Sequence, residues 1–403
     1  MERFLTKCVH SGTLRSEMKT INTPIYQSST FILTSEDYEK IAEGRVRDIN
    51  IYSRYGNPSR RSIEEKIAAL TGAEDAISFS SGMGAISTTL LTFLKPKDKI
   101  LTTIDLYGGT YSFIKNLLSK FNIEFVLVNP ENTDEIIKNM EGVNVILFES
   151  LSNPLLKMVD IEEIAKNKRE GQLLIIDNTF LTPYNFNPLN YGVDIEIHSA
   201  SKYLNGHSDL IGGFISGSEE LMEKIWPNML ILGASMEPIT AFLLERGMKT
   251  LGIRMEKHNK NAEKIAKFLQ NHEEIETVFY PALSNYSQKE LRNKYLKVGT
   301  GGVVAFVVKE GDKRGVDFMH SLNIIKEAAS LGGVESLISM PFNTSQRSLT
   351  PDERIEIGIL PGTVRLSCGI EDEADLIEDI NQALLRTSKY TEVPTLCNIS
   401  LTS

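Results

Sequence analysis

Cysteine is scarce in this chain of 403 residues: Cys8, Cys368 and Cys397 are all it has. An odd, widely spaced set excludes a disulfide framework and a zinc ligand pattern, and it points to a reducing cytoplasm. A basic surplus is also missing. Lys and Arg total 43 against 53 Asp and Glu, for a net charge of -10. Nucleic-acid binding is thereby excluded as the main task, because nothing is left over to neutralise phosphates. Short mixed runs such as Lys95 to Lys99 read as solvated turns. No run approaches the ~20 apolar residues of a membrane span. Met1 to Cys8 contains no apolar stretch of signal-peptide length. The six histidines show no metal spacing, so no metal is expected. Internal repeats and low-complexity tracts are absent as well. What is present, 41% apolar and 24% charged residues, fits a soluble globular protein. Its length is too great for a single ordinary core.

The pattern along the chain is that of an α/β protein with a mostly parallel central sheet and a smaller C-terminal α+β unit. Residues 1–60 carry little periodicity and read as an extended arm. Helical spacing begins at Ile63 and stops at Gly72. Apolar strand-like runs then follow at 76–79, 99–103, 124–128, 144–148, 173–176 and 194–198. Helix-like segments separate them, which implies strands covered on both faces. Residues 61–250 form the expected cofactor-binding domain. A long helix from about Pro238 to Gln270, interrupted near Gly247 and Gly252, leads into a second domain over 251–390. There, strands are expected at 302–308, 324–328 and 363–367, and helices at 315–322 and 373–385. The tail 391–403 has no clear period.

Two residues define the expected chemistry. Lys202 follows an apolar strand and sits among the small residues Ser199, Ala200, Ser201 and Gly206, which leave room for a bulky group. Asp177 ends the strand Leu173 to Ile176, where α/β sheets bind ligands. A lysine amine able to form a Schiff base and an acid able to hold a pyridinium nitrogen are what pyridoxal phosphate (PLP) chemistry requires. The alternatives are a surface lysine and a turn aspartate.

Other motifs add to the pair. Ser80-Ser81-Gly82-Met83-Gly84 lies between a strand and a helix, where backbone amides bind phosphate. A dinucleotide fingerprint would need glycine at Ser87, and the chain has no Gly-Lys-Ser/Thr. A PLP phosphate cup remains, with a plain strand–helix turn as its alternative. Tyr107, beside Gly108 and Gly109, can stack on a ring and act as a general acid. Tyr52 and Arg54 lie in the irregular arm, where an arginine near a phenol can hold a phosphate; the arm must dock, and a neighbouring subunit is one place. Arg365, flanked by apolar residues, needs a partner: a substrate carboxylate or a structural salt bridge.

Taken together and in this order, these motifs resemble the cysteine and methionine metabolism family of PLP-dependent enzymes. The resemblance runs from Thr23-Pro24-Ile25-Tyr26-Gln27 to about Leu385. It is most specific at Ser199 to Asp209, at Ser330-Leu331-Gly332-Gly333-Val334-Glu335-Ser336-Leu337 and at Val364 to Ser367. It implies the fold-type I aminotransferase-like architecture and a homotetramer of two active dimers. It further implies that Lys202 forms the Schiff base with PLP and that Asp177 pairs with the ring nitrogen. Gly82, Met83, Ser199 and Ser201 would line the phosphate, and Tyr52 and Arg54 would reach the neighbouring subunit's phosphate. Tyr107 would stack on the ring. Arg365, with Asn153 and Ser330, would hold the carboxylate of an amino-acid substrate.

The implied activity is γ-elimination or γ-replacement of the cystathionine γ-synthase or γ-lyase type. Methionine γ-lyase, O-acylhomoserine sulfhydrylase and cystathionine β-lyase are the alternatives. Gly109 stands where the family's methionine γ-lyases carry cysteine. Ser112 stands where its cystathionine enzymes carry arginine, whereas His207-Ser208-Asp209 and Glu335 resemble the latter group. A catalytically silent scaffold is argued against by the presence of Lys202, Asp177, Tyr107 and Arg365.

Overall fold

The protein is described here by a computed structural model covering residues 2–14, 18–344, 346 and 349–388. The expected tail 391–403, with Cys397, lies outside the described residues.

Seven strands form the main sheet: β1 (Asp75–Phe79), β2 (Lys99–Thr103), β3 (Glu124–Val128), β4 (Val145–Glu149), β5 (Leu173–Asp177), β6 (Ile195–Ser199) and β7 (Gly213–Gly217). Their spatial order is β1-β7-β6-β5-β4-β2-β3. From β6 across to β3 every pairing is parallel. β7 alone is antiparallel to its neighbours, β1 and β6, so the sheet is mixed with one reversed strand. The central strands are apolar nearly throughout because both faces are covered. On one face Ile175, Ile195, Ile197 and Ile215 pack with Ala85 and Leu90 of the helix Gly82–Phe93 and with Met222 and Ile225 of the helix Glu219–Leu232. On the other, Ile146, Phe148, Leu174 and Ile176 join a core that continues into the second sheet.

That second sheet has the order β10-β11-β12-β9-β8, from β8 (Ile275–Phe279), β9 (Val303–Val308), β10 (Lys326–Glu327), β11 (Leu337–Ser339) and β12 (Thr363–Ser367). The strand expected over 324–328 shrinks to the two residues of β10. The helix Leu251–Gln270 ties the two sheets together: Ala262, Ile265 and Ala266 share one core with Val304, Phe306 and Leu366. The long helix expected from Pro238 is two helices, Pro238–Met248 and Leu251–Gln270, parted at Lys249–Thr250.

The first residues differ from a plain extended arm. Phe4–His10 form a helix whose Cys8 is buried against Ile63, Ile67 and Met255. Lys66, fully buried, donates to the Cys8 carbonyl at 3.0 Å. Arg47 fastens the following stretch by bridging Asp75 at 2.6 Å and Glu223 at 2.7 Å. Among the described residues no helix is long and apolar enough to cross a membrane, and no cluster of metal-binding side chains occurs.

Candidate active site

β4, β5 and β6 end at the same edge of the sheet, with Glu149 in register with Asp177, and Asp177 with Ile197. A cavity of about 800 Å³ opens there, bounded on its other side by the second sheet's Arg365 and the Ala328–Leu331 segment. Ligands bind at the carboxyl ends of parallel strands because the chain turns away there and leaves a crevice. Ten of the twelve residues expected to form the site from the sequence line this cavity: Lys202, Asp177, Tyr107, Gly82, Met83, Ser199, Ser201, Asn153, Ser330 and Arg365.

The floor is built around Asp177. Its Oδ1 accepts from the N–H of Thr179 at 3.0 Å and from Thr179 Oγ1 at 2.5 Å. Thr179 Oγ1 in turn accepts from the Ser199 N–H at 2.8 Å, locking β5 to β6. Burial pushes the Asp177 carboxyl above the usual aspartate range, partly offset by the Thr179 bonds. A cation placed against it, such as a protonated ring nitrogen, restores the carboxylate.

One wall is the start of the helix Gly82–Phe93. Ser81 caps it, its hydroxyl accepting from the Gly84 N–H at 2.9 Å. Gly82 is required by close packing: a Cβ there would lie 2.9 Å from the Ser199 Cβ. Ser201 Oγ accepts from the Gly212 N–H at 3.0 Å. Free amides at a helix start, flanked by Ser199 and Ser201 hydroxyls, suit a phosphate dianion.

Lys202 enters from the loop after β6, and its Nζ donates to Ser330 Oγ at 2.9 Å. Burial, and then repulsion from Arg365, bring its amine down to about 8. A far larger fraction is therefore neutral near pH 7 than for a free lysine. Arg365, on β12, is buried. Its guanidinium donates to Asn153 Oδ1 at 3.3 Å and to the Ser330 carbonyl at 3.0 Å, while Nε has no partner. Burial lowers Arg365 to about 10, and the groups that offset this are the phenols Tyr203 and Tyr107. A buried cation held by neutral groups suits a carboxylate.

Tyr107 follows β2, half-exposed, and its N–H donates to Glu149 Oε1 at 2.9 Å. Gly109 makes room for the ring, since a Cβ there would come within 2.5 Å of Tyr107 Cε1. Ser208 and Ile211 are exposed and mark the open side. Glu335 also lines the cavity and accepts from the Ser208 hydroxyl.

Tyr52 and Arg54 lie elsewhere. Arg54 donates to the Leu230 carbonyl at 3.0 Å and packs over the rings of Tyr52 and Tyr55. Neither lines this chain's own cavity. Sequence reasoning passed over Thr179 and Glu149. Thr179 had a local signal, a hydroxyl two residues after the strand-ending Asp177; Glu149 had none, because its partner in register lies 28 positions away on another strand.

The architecture and the cavity's donor set fit PLP: a buried amine, an acid for the ring nitrogen, a helix start for phosphate and a buried guanidinium for a carboxylate. The sequence profile of the Cys/Met metabolism PLP-dependent enzymes matches residues 5–385. The chain is 38% identical to the L-methionine gamma-lyase of Porphyromonas gingivalis over 386 residues, covering 94% of this chain and 96% of the relative. It is 40% identical to the cystathionine gamma-lyase of Bacillus subtilis over 384 residues, covering 94% and 98%. The crystal structure of metB from Corynebacterium glutamicum superposes with a TM-score of 0.90 at 35% identity, covering 96% of this chain and 99% of that one. With the profile matched over nearly its whole length, the chain belongs to the Cys/Met metabolism family of PLP-dependent enzymes.

Proposed function

We propose that the cavity catalyses γ-elimination from a sulfur-bearing amino acid, with L-cystathionine as the leading substrate. The observation that carries this reading is the placing of Lys202, Asp177 and Arg365 around one cavity that Glu335 also lines. PLP, when bound, supplies an electron sink that eases loss of the α-proton and departure of the γ-substituent. Asp177 holds the proton on the ring nitrogen. Gly82, Met83, Ser199 and Ser201 surround the phosphate. Arg365, kept in place by Asn153 and Ser330, pairs with the substrate α-carboxylate. The Lys202 amine takes the α-proton, and Ser330 orients it. Tyr107 gives a proton to the departing sulfur. Glu335 meets the distal ammonium of cystathionine, which methionine lacks.

A second reading has its own observation. Leu210, Ile211, Leu331 and Leu337 also line the cavity, and an apolar wall suits the methylthio end of methionine. The relatives' names include both activities. Comparing kcat/KM for L-cystathionine and L-methionine decides between them. On the leading reading cystathionine is preferred, and Glu335→Ala lowers kcat/KM for cystathionine about tenfold while leaving methionine unchanged. A wild-type preference for methionine would favour the second reading.

Tyr52 and Arg54 complete a neighbouring subunit's phosphate site, and two such dimers form the tetramer. Their position outside the chain's own cavity supports that reading. The reducing cytoplasm remains the compartment that fits the cysteine content.

A further inference from the structure

Glu149 is an acid that the chemistry above does not use, yet it lines the cavity beside Asp177. It ends β4, in register with Asp177 at the end of β5. Partners in register on adjacent parallel strands lie about 4.8 Å apart and point to the same face. The floor therefore carries two carboxyl groups side by side. A third, Asp105, is fully buried on the loop after β2. The cations bordering the cavity are Lys202 and Arg365, and the remaining titratable groups are Tyr107 and Glu335.

The two floor acids are held differently. Asp177 Oδ1 receives two hydrogen bonds from Thr179. Glu149 Oε1 receives the N–H of Tyr107, while its Oε2 is buried without a partner. An unpaired buried oxygen costs much more when charged than when neutral. Adjacent carboxyls in a low dielectric also do not both ionise. Burial first, then Asp177 and Asp105, push Glu149 well above the usual glutamate range, against the favourable N–H groups of Tyr107 and Asn153.

We propose that Glu149 is a positioning residue that remains a neutral carboxylic acid in the loaded enzyme. It leaves the negative charge of the pair on Asp177, where the ring nitrogen needs it, and it anchors the Tyr107 loop through Oε1. Accepting backbone N–H groups needs a carbonyl oxygen and no charge, so an amide serves equally well.

The test uses the cofactor's own binding and an infrared signature, independent of which substrate is turned over. Apoenzyme is titrated with PLP and followed by the visible absorbance and circular dichroism of the bound cofactor. Glu149→Gln binds PLP within about threefold of wild type. Glu149→Ala, which lacks the acceptor for Tyr107, and Glu149→Asp, which is too short to reach it, bind about tenfold more weakly. The infrared difference between wild-type and Glu149→Gln holoenzymes at neutral pH shows loss of a protonated-carboxyl C=O stretch. Loss of carboxylate bands instead, or a Gln variant weakened as much as the Asp variant, would overturn the proposal. Should Glu149→Ala fail to fold, the Gln and Asp variants and the infrared spectrum still decide it.

Discussion

Arg365 shows how much one side chain can reveal. Its guanidinium is buried among an amide, a carbonyl and two phenols, with Nε unpaired. A cation in such a setting is stabilised only when an anion arrives. Replacing it by lysine keeps the charge but loses the fork that grips a carboxylate with two bonds. Arg365→Lys should raise KM about tenfold or more, with a smaller effect on kcat, as read from steady-state kinetics with L-cystathionine. Lys202 gives a pH prediction. Its amine is lowered to about 8 by burial and then by Arg365. The neutral form attacks PLP, so attachment of PLP to apoenzyme should quicken as pH rises and level off above about 8. For an ordinary lysine the rise would continue towards ~10.4. Stopped-flow absorbance across that range checks it. Both residues stood out in the sequence from local pattern, Arg365 within an apolar strand and Lys202 just after one. Glu149 was not, since its meaning depends on register with a strand 28 positions on.

At the scale of elements, the glycines explain what the sequence hid. β7 was passed over because Phe214 and Ile215 lie between Gly213 and Gly217, a pattern that signals a turn. In the fold a Cβ at Gly213 would lie 2.3 Å from the Ser81 carbonyl oxygen, and one at Gly217 would lie 2.6 Å from that of Asp194. Those glycines let a strand pack against neighbouring backbone. The same cause acts in the helix Pro238–Met248, where a Cβ at Gly247 would meet the Asn205 carbonyl oxygen at 2.4 Å. Gly247→Ala raises helix propensity yet should destabilise the protein by about 1–3 kcal/mol, measurable as a lower urea midpoint. Asp379, in the helix Glu373–Arg386, is a second test. Burial alone would raise its carboxyl, but the backbone N–H groups of Asn323, Ile324 and Ile325 hold it below the usual range. Its stabilisation is thus present above the unfolded aspartate pKa of ~3.9 and is lost as pH falls through the lower folded value. Asp379→Ala should cost about 2 kcal/mol at neutral pH. The difference between variant and wild type should narrow in acid.

For the whole molecule, alternating strands and helices made the main sheet's parallel part readable, since each period-bearing segment is local. The second sheet was harder to read. β10 and β11 are only two and three residues long, too few to show a period. The arm is bound to its own body by Arg47 and Arg54, and Tyr52 is left half-exposed. In the proposed oligomer this surface meets a neighbour's phosphate site. Complementation tests that arrangement: Arg54→Ala and Lys202→Ala, each nearly inactive alone, should regain measurable activity when unfolded and refolded together. A mixed dimer then has one site with both wild-type residues. Absence of recovery would place Arg54 in its own subunit's chemistry.

γ-Elimination at the Lys202 cavity can be read from its product. The most direct measurement is the 2-oxo acid released from L-cystathionine by the PLP-loaded protein, with Lys202→Ala as the control. 2-Oxobutanoate should be the dominant product, falling at least about a thousandfold in the variant. Pyruvate as the main product would mean β-elimination, and wild-type release by Lys202→Ala would contradict the assignment of the site altogether.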